Sequence, residues 1–381
     1  MLILNNYNKN IRILLISTEF PPGPGGIGNH AWNLARNLNN KVHIDILTTS
    51  DYADKNACKS FDTREKINIY RFKRYPFSLI TYIYRIFQII KYIRLNNYSH
   101  GILSGYFALS MCSIIQLINK KIIITGVIHG SELFQSNPLL KLVLKISLKG
   151  LDIMISVSNY TKNLIPIKTV PNQKNIIIPN GVNKELLTRN KNIDNPVQIS
   201  GNPCLLTVGS MTHRKGQINL IKALSIIKDK YPGVHYHCVG LPIEEKEVLE
   251  EATRLHIDTY VSIHGVIPNE QLGNLYKQAD ILVMLSQSKI RSCSEGFGIA
   301  ILEANLFGVP ALGSKNTGIE DAIVKDKTGV LVDPYSSKEI LEGINLLLQN
   351  NEELSKNTIV WALQHCWEDI SDRYLKAIID V

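Results

Sequence analysis

Closely spaced cysteines and long apolar runs are both missing from this 381-residue chain. Its six cysteines stand far apart without a Cys-x-x-Cys pair, so neither a zinc cage nor a disulfide framework is suggested, and reduced core thiols in a cytosolic protein are favoured. The longest uncharged run, residues 101–119, contains Gly, Ser and Gln, so it predicts a strand and a helix and not a membrane span. Residues 1–10 lack the basic flank and apolar run of a signal peptide, so none is expected.

Acidic residues are also few, but only in the first half of the chain. Residues 1–195 hold 25 Lys and Arg against 10 Asp and Glu, a net charge of +15. Residues 196–381 hold 17 against 23, a net charge of −6, so the halves sum to +9. This asymmetry predicts an anionic partner for the first half. Nucleic acid is not expected, because no recognition motif accompanies the charge.

Apolar runs of strand length alternate with helical segments and predict an α/β protein. In the first half the predicted strands are 11–16, 42–47, 67–72, 101–103, 121–128, 152–157 and 174–178, with a helix at 31–38. In the second half they are 204–208, 234–239, 260–263, 281–285 and 309–312, with helices at 217–230, 243–255 and 340–349. Two doubly wound domains are therefore expected, with ligands beyond the carboxyl ends of the strands and a site between the domains.

A glycine-rich loop follows the first predicted strand. The run Gly23-Pro-Gly-Gly-Ile-Gly28 has the spacing of a dinucleotide fingerprint, and Asp45 falls near the position of its ribose-binding acid. The match is weak, because five residues, 18–22, separate the strand from the glycines. The loop can offer backbone N–H groups to a phosphate or serve only as a turn. A nicotinamide-dependent oxidoreductase is therefore one alternative for the function.

Two further loops place polar side chains after predicted strands. Arg214 and Lys215 lie between a strand and a helix, where they can neutralise a diphosphate or form a solvated turn. His129 follows the strand at 121–128, at the edge where ligands bind, although a lone histidine is more often structural.

Glu295 and Glu303 flank a strongly apolar segment, Phe297-Gly-Ile-Ala-Ile-Leu302. A helix that begins near Phe297 would place Glu303 about two turns in and leave free backbone N–H groups near Glu295. A carboxylate in such apolar surroundings needs partners, which favours a ligand-binding role over a surface helix.

Together, in this order, these segments resemble the retaining GT-B glycosyltransferases of family 4. The resemblance covers nearly the whole chain, and its most specific part is the Glu-x7-Glu block followed by Asn305-Leu-Phe-Gly-Val-Pro310. It implies two Rossmann-like doubly wound domains that face an interdomain cleft. The implied divisions are an acceptor-binding domain at 1–182, a linker at 183–203, a nucleotide-sugar-binding domain at 204–360 and a C-terminal helix at 361–381 that crosses back to the first domain.

The resemblance also implies roles for individual residues. It assigns catalysis to His129 and Glu295, and donor binding to Gly25, Gly26, Ser210, Arg214, Lys215, Phe297, Gly298, Ile299 and Glu303. Lys215 would bind the donor diphosphate, which the glycine loop approaches from the first domain. His129 and Glu295 would contact the transferred sugar, main-chain amides after Glu295 would help, and Glu303 would accept hydrogen bonds from the ribose.

One position departs from the family pattern, because many members carry Arg where this chain has Ser210. Either Arg214 supplies the second positive charge on the diphosphate, or the donor is held more weakly. No Asp-x-Asp pair occurs in the chain, so Lys215, Arg214 and helix N-termini are expected to replace Mg²⁺, with no metal and no cofactor.

The implied activity moves a hexosyl unit from a GDP- or UDP-sugar to a lipid-linked or surface-polysaccharide glycan, as in polysaccharide or lipopolysaccharide biosynthesis. A silent nucleotide-sugar-binding protein is the second alternative. Segment 71–94 interleaves bases with Tyr, Phe and Ile, so it can lie against anionic headgroups or pack as a core helix. The charge of the first half favours the membrane, and we expect a cytoplasmic protein that is peripheral on the inner face of the cytoplasmic membrane.

Overall fold

The computed structural model describes residues 11–51, 53–166, 173–188, 196–287 and 295–380. Within these ranges the chain forms two compact units. The first contains the residues up to Ile178 together with the last helix, and the second comprises Pro179–Cys366. Each unit is built on one parallel sheet with helices on both faces, which confirms the predicted class of two Rossmann-like domains.

The first unit contains a seven-stranded parallel sheet in the order β3-β2-β1-β4-β5-β6-β7. Its strands are β1 (Arg12–Ser17), β2 (His43–Thr49), β3 (Asn68–Phe72), β4 (His100–Ser104), β5 (Ile123–Ile128), β6 (Ile153–Ser156) and β7 (Lys174–Ile177). The direction in which strands are added reverses at β1, so a crevice opens between the carboxyl ends of β1 and β4.

The second unit contains a six-stranded parallel sheet in the order β10-β9-β8-β11-β12-β13. Its strands are β8 (Cys204–Val208), β9 (His235–Val239), β10 (Val261–Ile263), β11 (Ile281–Met284), β12 (Ala311–Ser314) and β13 (Gly329–Val332). Here the order reverses between β8 and β11, which gives this unit its own ligand-binding crevice.

Fourteen α-helices are present in the described ranges. They are α1 (Gly26–Leu38), α2 (Lys55–Asp62), α3 (Ser78–Leu95), α4 (Tyr106–Ser110), α5 (Cys112–Ile118), α6 (Pro138–Gly150), α7 (Asn159–Asn163), α8 (Gln217–Lys230), α9 (Glu245–Arg254), α10 (Asn269–Gln278), α11 (Ile299–Asn305), α12 (Ser337–Gln349), α13 (Asn351–Leu363) and α14 (Trp367–Ile379). Because β–α–β crossovers are right-handed, α1 and α2 cover one face of the first sheet, and α3 to α6 cover the other.

The structure corrects several predicted bounds. Helix α1 begins at Gly26 and not at residue 31, so it includes Gly28. Glycine is required at position 28 because a Cβ there would come too close to the backbone of Phe20. Strand β12 begins at Ala311, after Pro310, which has no N–H to give to a sheet. Strand β13, of four residues, was not predicted at all.

The final helix belongs to the first unit. α14 packs against α1, where Tyr374 Oη lies 3.1 Å from His30 Nε2, and against the turn after α1, where Lys41 Nζ lies 2.7 Å from Asp372 Oδ1. The returning segment therefore begins at Trp367, not at residue 361 as expected from the family. Residues 361–366 stay with the second unit.

Residues 196–203, which we assigned to a linker, also pack within the second unit. The backbone N–H groups of Val197 and Ile199 each donate to a glutamine side chain of α10, at 3.1 Å. The preceding part of that segment, residues 189–195, lies outside the described residues.

Five cysteines are described, and all of them are buried with free thiols. The sixth, Cys293, lies outside the described residues. No helix in the described ranges combines the length and the apolar character needed to cross a bilayer.

Candidate active site

The loops after β8 and β11 meet at the crevice of the second unit. The N–H of Gln287 donates to the carbonyl of Arg214 at 3.0 Å. Gly216 has a φ of 73°, and a Cβ at that position would overlap the carbonyl of Leu285. Only glycine permits this close approach. It fixes Arg214 and Lys215 at the carboxyl edge of the sheet.

Both cations point at one carboxylate. Glu295 Oε2 lies 2.6 Å from Arg214 Nη1 and 2.6 Å from Lys215 Nζ. Burial alone would raise the pKa of Glu295, but the positive charges of Lys215 and Arg214 outweigh it and lower the pKa to about 2. Glu295 is therefore ionised at neutral pH. Two cations and one anion leave a net positive charge at the crevice, which suits an anionic ligand.

A second close approach holds the segment that follows Glu295. The N–H of Gly318 donates to the carbonyl of Glu295 at 2.9 Å. A Cβ on Gly318 would overlap the carbonyl of Gly296, so glycine is needed here as well. Gly318 could not be identified as a site residue from the sequence. Its only local signal is a glycine shortly after a strand, which many turns share.

Gly298 determines where α11 starts. Its φ of 93° is not helical, so the helix begins at Ile299 and not near Phe297 as expected. Glu303 consequently lies about one turn into the helix, not two. Phe297 is buried and anchors the loop in the core.

Glu303 is held by a tyrosine of the neighbouring helix. Tyr276 Oη, near the end of α10, donates to Glu303 Oε2 at 2.7 Å. Burial raises the pKa of Glu303, and the hydrogen bond from Tyr276 only partly opposes that effect. Tyr276 was also missed by the sequence analysis, because a tyrosine on a core helix gives no signal of its partner.

Ser210 lies in the backbone stretch beneath Lys215. Its carbonyl accepts a hydrogen bond from Gln217 Nε2 at 3.2 Å. The side chain of Lys215 passes over the preceding residue, Gly209, which has a φ of 148°. Arg214, and not a side chain at position 210, thus provides the second positive charge beside Glu295.

In the first unit, His129 leaves the carboxyl end of β5 and reaches toward β4. Its Nε2 lies 3.1 Å from Ser104 Oγ, and its ring meets the ring of His30 edge to face, with centroids 4.8 Å apart. Burial lowers the pKa of His129 to about 4, so the imidazole is neutral at pH 7. His30 Nε2 in turn lies 3.1 Å from Tyr374 Oη of α14. His129 is therefore supported from β4 and from the last helix.

A buried carboxylate shapes the turn after His129. Glu132 Oε1 accepts a hydrogen bond from the backbone N–H of His129 at 2.6 Å. Burial raises the pKa of Glu132 to about 6, although backbone hydrogen bonds from this turn oppose the shift. Gly130 has a φ of 110°, which completes the tight turn. Glu132 is thus a structural partner of His129 that the sequence analysis did not identify.

The glycine loop before α1 already faces a carboxylate. Gly25 has a φ of 143°, and a Cβ there would overlap Glu19 Oε2. Burial raises the pKa of Glu19, and the N–H of Gly28 opposes this by a hydrogen bond. Gly26 is the first residue of α1 and has open space around it.

Asp45 does not occupy the position that a dinucleotide site requires. It lies toward the amino end of β2, is buried, and accepts hydrogen bonds from Tyr98 Oη at 2.7 Å and Asn68 Nδ2 at 2.8 Å. A ribose-binding acid must stand at the carboxyl end of that strand. The structure therefore removes the main support for the oxidoreductase alternative.

His213, Glu244 and Glu247 form one group in the described ranges that could hold a cation, with ligand atoms within 4.8 Å of one another. His213 Nε2 lies 3.2 Å from Glu247 Oε2, and both side chains are about half exposed. These contacts need no ion to explain them.

Comparison with known families agrees with the two-unit architecture. Residues 24–186 match Glycosyltransferase Family 4, and residues 188–360 match Glycosyl transferases group 1. The chain belongs to the group 1 glycosyltransferases of the family 4 type, and it has the GT-B fold.

Relatives and solved structures match over most of the chain. The GDP-mannose-dependent alpha-(1-6)-phosphatidylinositol monomannoside mannosyltransferase of Mycolicibacterium smegmatis is 24% identical over 378 residues, covering 93% of this chain and 94% of that protein. Its Mycobacterium tuberculosis counterpart is 23% identical over 354 residues, with 88% and 89% covered. Anabaena HepE in complex with UDP and glucose superposes with a TM-score of 0.78 at 19% identity, covering 97% of this chain and all of that one (100%).

Proposed function

We propose that this glycosyltransferase moves a hexosyl unit from a GDP- or UDP-sugar to a lipid-linked or surface-polysaccharide glycan, with retention at the anomeric carbon and without a metal. The observation that carries the proposal is the cluster of Arg214, Lys215 and Glu295 at the crevice between β8 and β11. It combines a net positive charge with a carboxylate that stays ionised at neutral pH.

The cluster suits a leaving diphosphate. When a donor binds, Lys215 and Arg214 turn from Glu295 to the phosphate oxygens and stabilise the negative charge that develops as the sugar leaves. Glu295 then accepts a hydrogen bond from a sugar hydroxyl. Glu303, held by Tyr276, accepts from the ribose hydroxyls at the other end of the nucleotide.

His129 is the proposed contact of the transferred sugar from the first unit. A neutral imidazole supported by Ser104 donates or accepts a hydrogen bond without adding charge beside an oxocarbenium-like centre. No side chain is proposed as a nucleophile. A front-face route, with a donor phosphate oxygen taking the acceptor proton, accounts for retention.

The named relatives support the donor and acceptor classes. The mycobacterial proteins are described as using GDP-mannose and a phosphatidylinositol mannoside, and HepE was crystallised with UDP and glucose. By analogy we place the acceptor of this chain on a lipid or a growing surface glycan. We propose that the protein works peripherally at the inner face of the cytoplasmic membrane.

Calorimetric titration with UDP, GDP and NADH tests the donor class. We expect binding of one nucleoside diphosphate and none of NADH. The Lys215→Ala variant should lose that binding, while Lys222→Ala on the exposed side of α8 should keep it. Binding of NADH alone, or equal binding by both variants, would reject the proposed donor site.

Turnover distinguishes a transferase from a catalytically silent nucleotide-sugar-binding protein. The active enzyme should slowly hydrolyse its donor when acceptor is absent, with release of the free sugar. A thermal-shift panel of nucleotide sugars selects the donor for this assay. A protein that binds the donor but neither hydrolyses nor transfers its sugar would be a binding protein and not a transferase.

A further inference from the structure

One surface of the first unit is both apolar and exposed. The large hydrophobic side chains exposed on α3 and in the residues just before it are Tyr75, Phe77, Leu79, Ile80, Tyr82, Ile83, Phe87 and, at the far end of the helix, Leu95. Those on α6 are Leu139, Leu140, Leu142 and Ile146. Phe77 and Leu79 are 69% and 70% exposed, and Leu139 is 65% exposed, so these side chains are not edges of the core.

The two helices lie on the same face of the sheet, with α4 and α5 between them. Their inner sides pack into the same core cluster, through residues such as Ile89 of α3 and Leu144 of α6. Tyr82 Oη of α3 lies 3.2 Å from Ser110 Oγ of α4. Tyr106 Oη of α4 donates to the carbonyl of Leu140 at the start of α6, at 3.1 Å. The exposed sides of α3 and α6 thus form one surface, which we call the α3–α6 surface.

The apolar side chains concentrate at one end of this surface. In a parallel sheet, each helix starts at the carboxyl edge and runs back toward the amino edge. On α3 the exposed hydrophobic side chains lie mainly between residues 77 and 87, and on α6 between 139 and 146. The apolar end is therefore at the carboxyl edge. His129 stands at that edge, and the loop that follows it leads directly into α6.

The charge around the surface has a single sign. Residues 66–151 contain 12 Lys and Arg and one acidic residue, Glu132, which is buried. The exposed cations of this surface are Lys73 and Arg74 before α3, Lys91 and Arg94 in its last turns, and Lys141, Lys145 and Lys149 along α6. Within the described ranges, none of these seven forms an ion pair.

We infer that the α3–α6 surface docks on an anionic lipid bilayer, with the start of both helices in the interface and His129 beside it. Apolar side chains enter the headgroup region while lysines and arginines meet negative lipid headgroups. A second copy of the chain fits poorly, because two such surfaces would bring like charges together. The inference rests on the proposed function for its biological meaning, and it extends the contact from segment 71–94 to α6.

Co-sedimentation with vesicles tests this surface on the full chain. We expect binding to phosphatidylcholine vesicles that contain phosphatidylglycerol, weakening as NaCl is raised, and little binding to phosphatidylcholine alone. Replacing Lys141, Lys145 and Lys149 together by Gln should weaken vesicle binding roughly 100-fold, at about fivefold per lysine. The double variant Leu139→Gln, Leu142→Gln should weaken it at least tenfold.

Leu117 gives a matched control on the same face of the sheet. It is 81% exposed near the end of α5, which leads into the amino end of β5, so it lies at the opposite edge. Leu117→Gln should leave vesicle binding unchanged. An equal loss in this control, no binding to anionic vesicles at low salt, or burial of the surface in a stable dimer would each overturn the inference.

The outcome is separable from the donor proposal. Nucleotide titration and donor hydrolysis are measured without vesicles, and the α6 variants should match the unmodified protein in both. Vesicle binding without nucleotide binding would leave the surface in place and reject the proposed function. Nucleotide binding without vesicle binding would support the proposed donor site and overturn the inference about the α3–α6 surface.

Discussion

The two units share a parallel-sheet architecture, but they place charge differently. At the carboxyl edge of the first sheet, His129 is neutral and contacts Ser104 and His30. The cations on α3 and α6 that form no ion pair within the described ranges lie on the surface instead. At the crevice of the second sheet, cations converge on one carboxylate, Glu295. The comparison teaches that the excess positive charge of the first half is not gathered at its sheet crevice. It lies on the surface, where a large anionic partner can meet it.

Replacing Glu295 should break the charge pairing of the second unit and produce the largest effect. Glu295→Gln removes the proposed acceptor for a sugar hydroxyl, and loss of such a charge-assisted hydrogen bond lowers kcat about 100-fold. Affinity for the nucleoside diphosphate should not fall, because Arg214 and Lys215 are then free for phosphate. Steady-state kinetics and calorimetry measure the two effects separately. Glu353→Gln, at an exposed position of α13 in the same unit, is the control, and an unchanged kcat in Glu295→Gln would contradict the assignment.

The Arg214→Ala variant tests whether Arg214 replaces the arginine that many family members carry at the position of Ser210. If Arg214 supplies the second positive charge, Arg214→Ala should raise the donor KM about 30-fold, as expected for a lost charge-assisted contact of about 2 kcal/mol. Introducing Arg at position 210 in that variant should restore part of the affinity. An unchanged donor KM in Arg214→Ala would show that this arginine does not replace the one found in other family members.

Acidification should lower the stability of the fold through its buried neutral histidines, while Glu295 in the second unit stays ionised. The pKa of His237, in β9, is lowered to about 4 by burial, as is that of His129. Because the unfolded chain binds these protons near pH 6.5, stability is present above that pH and is lost as pH falls toward 4. At pH 5 the loss is about 2 kcal/mol for the buried His237.

The buried carboxyl group of Glu132 opposes this loss of stability as pH falls. Its pKa is raised to about 6, so it stabilises the fold as pH falls and offsets about 1 kcal/mol at pH 5. Urea unfolding at pH 7.5 and 5.0 measures the net effect, and His237→Asn should lose less stability over that interval. The protonation state of Glu295 should not change over that interval, because its pKa is about 2. Constant stability across this range would contradict the argument from buried histidines.

Tyr276→Phe should have a smaller effect, confined to the nucleotide end of the site. The change removes the hydroxyl that orients Glu303 but keeps the ring that packs against Phe307. We expect about a fivefold loss of donor affinity with kcat nearly unchanged, since the contact does not involve the reacting atoms. The discrimination against a 2′-deoxy nucleotide should shrink in parallel. A variant that lost kcat alone would place Glu303 elsewhere in the reaction.

Chelation should have the smallest effect. If Lys215 and Arg214 stabilise the leaving diphosphate, activity should survive treatment with EDTA within experimental error. Addition of Mg²⁺ to the chelated enzyme is the control. Loss of activity with EDTA and its recovery with Mg²⁺ would show that the positive side chains are not sufficient.

The periodicity and composition of the sequence were sufficient to predict an architecture of two doubly wound α/β domains. Buried apolar runs of five to six residues, such as those that became β1 and β8, predict parallel strands because only sheets covered on both faces have such strands. Charge counting was equally informative, since net charge is a property of the sequence alone. The Glu295–Glu303 block identified the family by its order of residue types, a fact confirmed by the family matches.

Only the tertiary structure determined which side chains contact each other when they lie far apart in the chain. Tyr276 and Glu303 meet because α10 packs on α11, and His30 meets Tyr374 because the last helix returns to the first unit. Such contacts join residues far apart in the chain, so no local pattern encodes them. The close approaches of Gly216 and Gly318 are of the same kind, because a missing Cβ matters only when another backbone occupies its place. The sequence determined which side chains were available, and packing determined which of them could act together.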